Sequence, residues 1–228
     1  MRTLSAFVCL GLGFGLATAA SAQPKPAPAK PAPATKPATP ATPAAGATGT
    51  KPADPAKPSE PPPKPTVATI MDRQLTALEH EFVPAAEAMP DNKFNFAPAT
   101  THGEFKGVRT FALQVKHVAA TNYVIFSGIL GEKLPPNIDP KQDNGPDAMT
   151  SKADIVKFLK DSFALGHRAM ATLNESNLTE RIPGEGGNPG PTRLGAASLT
   201  LWHSFDHYGQ MVEYLRMNSI VPPASRQQ

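Results

Sequence analysis

Between Gln23 and Pro65 the chain holds fifteen prolines and not one aromatic or large aliphatic side chain. Without such side chains a segment has no core to bury, so it is expected to stay disordered, with much polyproline II character. At about 3.1 Å per residue it would reach roughly 100 Å or more. Everything that folds must therefore come from Thr66 onward, about 160 residues in all, which is ample for one independent domain.

The first 22 residues read as a secretory signal peptide. Arg2 gives the positive start, Leu4 to Leu16 is an apolar stretch, and Ala20-Ser21-Ala22 matches a small-x-small cleavage pattern, so the cut is placed before Gln23. The apolar stretch is too short to span a bilayer comfortably. The expectation is an exported protein, periplasmic or extracellular, with no stable membrane insertion once the signal is removed. Cys9 is the only cysteine and leaves with that signal, so the mature chain has no disulfide and no catalytic thiol.

Charge divides along the same line. Residues 23–65 carry six lysines against Asp54 and Glu60, a net of +4. Residues 66–228 carry 15 Lys and Arg against 17 Asp and Glu, a net of −2. The basic charge sits on the tail, and the folding part gives no reason to invoke nucleic acid. The tail reads as a solvated spacer, and its lysines are suited to touching anionic envelope polymers or lipid headgroups.

Four stretches show the apolar periodicity of helices. The first runs from about Val67 to Met89, with Ile70, Leu75, Leu78, Phe82 and Val83 as its apolar set and Pro84 as a candidate kink. The second, Thr110 to Leu130, includes Phe111, Val115, Val118, Ile125 and Ile129. The third starts at a cap of Thr150 or Ser151 and continues through Ile155, Phe158, Leu159 and Phe163 to about Leu173. The fourth runs from near Thr192 to about Asn218, before Val221-Pro222-Pro223. The segments between are polar or rich in Pro, Asp and Gly, and Gly184 to Gly190 reads as a plain loop without strand alternation. The expected fold is all-α, a four-helix bundle over residues 66–228 with one core.

The sharpest chemical signal is Trp202-His203-Ser204-Phe205-Asp206-His207-Tyr208. His203 and His207 stand four apart on a helix and share a face, so both imidazoles can reach one metal ion. Such pairs also arise from simple packing. His117, in Val115-Lys116-His117-Val118-Ala119, shares a stripe with Leu113, Ala120 and Val124 and is expected to point inward. A lone inward histidine is more often a hydrogen-bonded core residue than a ligand. Three buried imidazoles without a shared partner would carry several desolvation penalties, however, and one divalent cation satisfies all three. Histidine nitrogen suits zinc, nickel, copper or iron alike.

Three ligands leave a position for water or substrate, the pattern of catalytic sites. The second residue of the pair motif is Ser204, so the HExxH glutamate of metalloproteases is missing and that assignment is rejected. Asp206 lies on another face, suited to a surface or interhelical hydrogen bond or to supporting a site histidine. His80 reads as surface, His102 as loop, and His167 as a weaker candidate near the bundle axis. No phosphate-binding loop and no nucleophile elbow are present.

Gln114-Val115-Lys116-His117-Val118-Ala119-Ala120 resembles the second-helix signature of the DinB-like superfamily of metal-binding four-helix bundles. Trp202-His203-Ser204-Phe205-Asp206-His207-Tyr208-Gly209-Gln210 resembles its fourth-helix signature. The similarity extends from about Ala68 to Pro223. It implies an up-up-down-down bundle with a divalent metal (zinc, nickel or iron) held by His117, His203 and His207. It does not imply one reaction, since relatives include transferases and isomerases that use low-molecular-weight thiols; the expectation is a metal-dependent hydrolase or transferase acting on a small molecule, with a non-catalytic metal-binding or structural/interaction bundle of the envelope as the alternative. Thiol-using relatives work in reducing compartments, which makes hydrolysis the more natural chemistry for an exported chain. Pairing of relatives through helix faces raises a homodimer as an option. Ser219 stands where a glycine would be the easiest helix cap.

Overall fold

A Ser or Thr hydroxyl caps the start of every α-helix in the computed structural model, which describes residues 64–99, 103–184 and 187–226. The Thr66 hydroxyl accepts from the Thr69 amide at 3.2 Å, Thr110 from Leu113 at 3.2 Å, Ser151 from Asp154 at 3.1 Å, and Thr192 from Gly195 at 3.1 Å. Each hydroxyl satisfies an amide that the first turn leaves without a partner. The helices that follow are α1 (Val67–Ala88), α2 (Phe111–Leu130), α3 (Lys152–Ala171) and α4 (Arg193–Met217). The signal peptide and His102 lie outside the described residues, as does the proline-rich tail apart from Lys64 and Pro65.

The structure matches the four expected helices closely, with three local differences. α1 runs without interruption through Pro84. Ile70, expected in the core, is 43% exposed, and Met71 is buried instead. The glycine-rich segment is bounded by a short antiparallel pair, β1 (Arg181–Pro183) and β2 (Pro189–Thr192), not a plain loop. Its prolines break the alternation by which a strand is normally recognised, and they are tolerated because the ladder is short and irregular. Ile182 of β1 is buried against Gly128 of α2, so the hairpin closes one end of the bundle.

Helix directions follow from side-chain pairs. Asn122 donates to the Ser162 hydroxyl at 3.2 Å, and Phe126 lies against Gly166, so α2 and α3 run parallel. Glu87 pairs with Lys160 at 2.6 Å and Glu79 with His167 at 2.9 Å, so α1 and α3 are antiparallel. Gln114 meets Gln210 and Ile129 meets Arg193, so α2 and α4 are antiparallel. The order is up-down-down-up, which corrects the up-up-down-down expectation. α1 and α2 each pack between α3 and α4 and face one another across the core diagonal.

The parallel pair has a structural consequence. The 131–151 connection must travel back along the bundle, a distance of about 30 Å for a 20-residue helix. In doing so it runs beside α2 and α3. Gly145, at φ +68°, sits close enough to Lys116 that a Cβ would lie 3.3 Å from its carbonyl oxygen. The buried Lys116 donates from Nζ to the Met149 carbonyl at 3.1 Å. This crossover is what brings Asp143 over the first turns of α2. At the other end of α4, Ser219 takes φ 61°, the left-handed position expected for a glycine, with its amide bonded to Arg216 and that of Ile220 to Leu215.

Candidate metal centre

Gln114 and His117 are three apart on α2, and His203, His207 and Gln210 follow four- and three-residue steps on α4. These spacings put each set on one helix face, and the antiparallel packing of α2 on α4 brings the two faces together. His117, His203 and His207 meet there, with their ligand nitrogens all within 4.8 Å of one another. Ring centroids are 4.7 to 4.9 Å apart. Among the described residues no other group of three or more His, Cys, Asp or Glu converges in this way. The pair motif and the inward histidine of α2, read separately from the sequence, form one cluster.

His117 and His207 are buried, and His203 is partly open beside the exposed Trp202. His117 Nδ1 faces the Asp143 backbone carbonyl, which can only accept, so Nδ1 carries the hydrogen and Nε2 the lone pair. His207 Nδ1 faces Gln114 Oε1. His117 Nε2 and His203 Nε2 are 2.9 Å apart. Two lone pairs at that distance repel, so either His203 donates a proton to His117 or a cation lies between them. The Nδ1 of His203 is buried with no partner.

Burial, followed by the other rings of the trio, holds the imidazoles neutral. His203 is pushed down to about 4 by burial and then by His117, and His207 to about 3 by burial, then His203 and His117. His117 is lowered by burial against the raising effect of the Asp143 carbonyl. Neutral imidazole is the form that binds metal. The donor set fits a divalent ion of the zinc, nickel or iron kind. It consists of nitrogen donors with no charge, two of them with their outer nitrogen already hydrogen-bonded.

The other histidines stand apart. His80 is exposed. His167 does not join the cluster; its Nδ1 lies 2.6 Å from Asp72 and its Nε2 2.9 Å from Glu79, between α1 and α3. It neighbours Gly166, level with Phe126 and nine residues along α2 from His117, about 13 Å by helix rise.

The structure adds residues to which the sequence reading gave no role. Gln114 and Gln210 bond to each other at 2.8 Å behind His207, and Gln210 donates to Asp206 at 2.9 Å. Their three-residue offsets from His117 and His207 were the available signal. Asp143 contributes a backbone carbonyl, for which no sequence signal exists. Arg109 braces it, bonding to the Asp143 carboxylate and to Asn144 Oδ1 at 2.7 Å, while Tyr214 donates to the Arg109 carbonyl at 3.1 Å. Five of the better-formed clefts among the described residues, of about 120 to 570 Å³, are lined by none of the trio's histidines. His117 and His207 are buried, and the open side of the trio is at His203.

No helix of the described residues is long and apolar enough to cross a membrane. No curated protein matches the chain significantly. A family profile described as DinB superfamily matches residues 74–211, which takes in both histidine motifs and most of all four helices. The chain belongs to the DinB superfamily.

Proposed function

We propose that this protein binds a divalent metal ion through His117, His203 and His207 and acts as a metal-dependent hydrolase or transferase on a small molecule. The observation that carries the reading is the convergence of three neutral imidazoles with no carboxylate or fourth histidine in the group. Three protein ligands leave one side of an ion for substrate. A divalent ion held there would supply Lewis-acid polarisation of a substrate oxygen or sulfur.

The chain's own residues divide the remaining work. Asp143 and Gln114 hold the Nδ1–H groups of His117 and His207, leaving Nε2 of each for the ion. α2 and α4 shield the trio on the core side, and the open side lies by His203 and Trp202. The signal-like sequence of residues 1–22 favours export, and for an exported chain hydrolysis is the chemistry least dependent on a reduced thiol. A second reading, a non-catalytic metal-binding protein, is favoured by the burial of His117 and His207, which leaves only His203 partly open.

Metal content of the untagged mature chain, measured by mass spectrometry beside His117→Ala and His207→Ala, tests the site. About one equivalent in the wild type and none in either variant supports it. A wild type that takes up neither zinc, nickel nor iron(II) on reconstitution refutes it. Turnover of ester, amide or thiol-transfer substrates by the loaded protein alone would then favour the enzyme over the non-catalytic reading.

A further inference from the structure

Asp206 and His207 are neighbours in sequence that point to different faces of α4, yet a path through α2 joins them. Gln210 donates from Nε2 to Asp206 Oδ2 at 2.9 Å. Gln114 donates from Nε2 to Gln210 Oε1 at 2.8 Å. Gln114 Oε1 meets His207 Nδ1.

The chain of bonds has one direction, and its carboxylate end sets it. An ionised carboxylate only accepts. Turning the Gln210 amide over would set its oxygen against that of Asp206, so nitrogen must face Asp206 and Oε1 must face Gln114. The same logic then turns Gln114 so that its oxygen faces His207. A carbonyl oxygen only accepts, so His207 must carry hydrogen on Nδ1 and its lone pair on Nε2. Amide and imidazole orientations are often ambiguous; here the acceptor-only terminus removes the ambiguity. Gln114 is 2% exposed and His207 6%, so neither exchanges its partner freely for water.

We propose that Asp206 is a positioning residue. Through Gln210 and Gln114 it fixes His207 as the Nδ1–H tautomer and presents the Nε2 lone pair to the trio. The consequence for metal binding rests on the three-histidine ligand reading; the tautomer assignment does not. Without Asp206 the Gln210 amide is free to turn, which leaves the Tyr214 hydroxyl as the remaining side-chain partner of the Gln114 NH2; Gln114 can then turn and offer its NH2 to His207 Nδ1. That favours the Nε2–H tautomer, which has no lone pair for an ion.

Asp206 is exposed, so its replacement leaves the core intact. The test records histidine tautomers by long-range 1H–15N NMR on the full chain stripped of metal, and zinc affinity by chelator competition. The wild type is expected to show His207 as Nδ1–H. Asp206→Ala is expected to bring in a large Nε2–H population and weaken zinc binding by about 10- to 100-fold, and Asp206→Glu to restore both. Gln210→Leu keeps the carboxylate but cuts the path, and should behave like Asp206→Ala. A wild-type tautomer in Asp206→Ala overturns the proposal. So does a zinc loss confined to Asp206→Ala and absent from Gln210→Leu, which would mark a bare charge effect. A wild type that binds no zinc while the tautomer shift still occurs would sink the ligand reading and leave the positioning role standing.

Discussion

Metal uptake by this centre should release less than one proton at pH 6. An imidazole of ordinary pKa, 6.5, is about three-quarters protonated at that pH, so three such ligands would give up about 2.3 protons on binding. Here burial, then the neighbouring rings, places His203 at about 4 and His207 at about 3. At pH 6 those two are protonated to about 1% or less, and together they release about one hundredth of a proton. His117 is lowered too, so the total should stay well below one. The same arithmetic predicts the affinity profile. Between pH 7 and pH 5 two ordinary imidazoles would weaken binding by roughly 600-fold, whereas His203 and His207 should weaken it by only about 10%. Calorimetry of zinc or nickel binding at pH 6, in buffers of different ionisation enthalpy, counts the protons directly. Release of two or more would show that the trio titrates like solvated histidine, and the picture of a buried, neutral cluster would fail. The linkage for folding has the corresponding sign. Folded values below 6.5 mean that the unfolded chain takes up protons first, so metal-free stability falls as pH drops below about 6.5 toward 3.

Two further outcomes concern the bundle. His167 has both ring nitrogens on carboxylates, which requires the imidazolium; burial opposes that charge, but the bonds to Asp72 and Glu79 carry its pKa above 6.5. Its contribution is therefore complete below pH 6.5 and lost as pH rises through the folded pKa, so His167→Gln should lower Tm more at pH 6 than at pH 9, and equal losses would refute the clamp. A Cβ on Gly166 would sit 2.6 Å from Phe126 and 2.9 Å from Leu75, both fully buried. Overpacking of about 1–3 kcal/mol should outweigh the helix-propensity gain of up to about 1 kcal/mol. Urea unfolding should then show Gly166→Ala less stable, with Phe126→Leu restoring part of the loss; a neutral Gly166→Ala would show slack in the α1–α2–α3 contact.

The four helices were legible because each begins at a Ser or Thr and carries its own apolar stripe. Ile70 misled because it lies beside the buried stripe and not on it. Met71, Leu75, Leu78 and Phe82 form that stripe, whereas Ile70 shares a face with the exposed Gln74 and Ala77. Direction was not legible. The 89–110 and 131–151 connections have almost the same length, so neither announces itself as the one that returns along the bundle. Only pairs such as Asn122 with Ser162 reveal which helices run together. The hairpin was hidden because Pro183, Pro189 and Pro191 occupy strand positions and suppress the alternation that marks a strand. In the site, side chains that converge by spacing could be read, and a backbone carbonyl at Asp143 could not, because every residue supplies one.

The topology and the site turn out to be one problem. His117 is oriented by a carbonyl that reaches it only because α2 and α3 are parallel and the connection must pass back over α2. His207 is oriented by amides on the α2–α4 seam. His203 has neither support. With the His117 proton committed to Asp143, the 2.9 Å contact between the two Nε2 atoms puts a proton on His203 Nε2 whenever no cation lies between them. To offer that nitrogen to an ion, His203 must carry its hydrogen on Nδ1, which is buried and faces no acceptor. Leaving a buried donor unpaired costs about 1–3 kcal/mol. On the proposed reading His203 would thus be the ligand that yields most readily, and it is the histidine on the open side next to Trp202. On the proposed three-ligand reading, the two held histidines would set how tightly an ion is bound, while the third would be free to adjust on the open side.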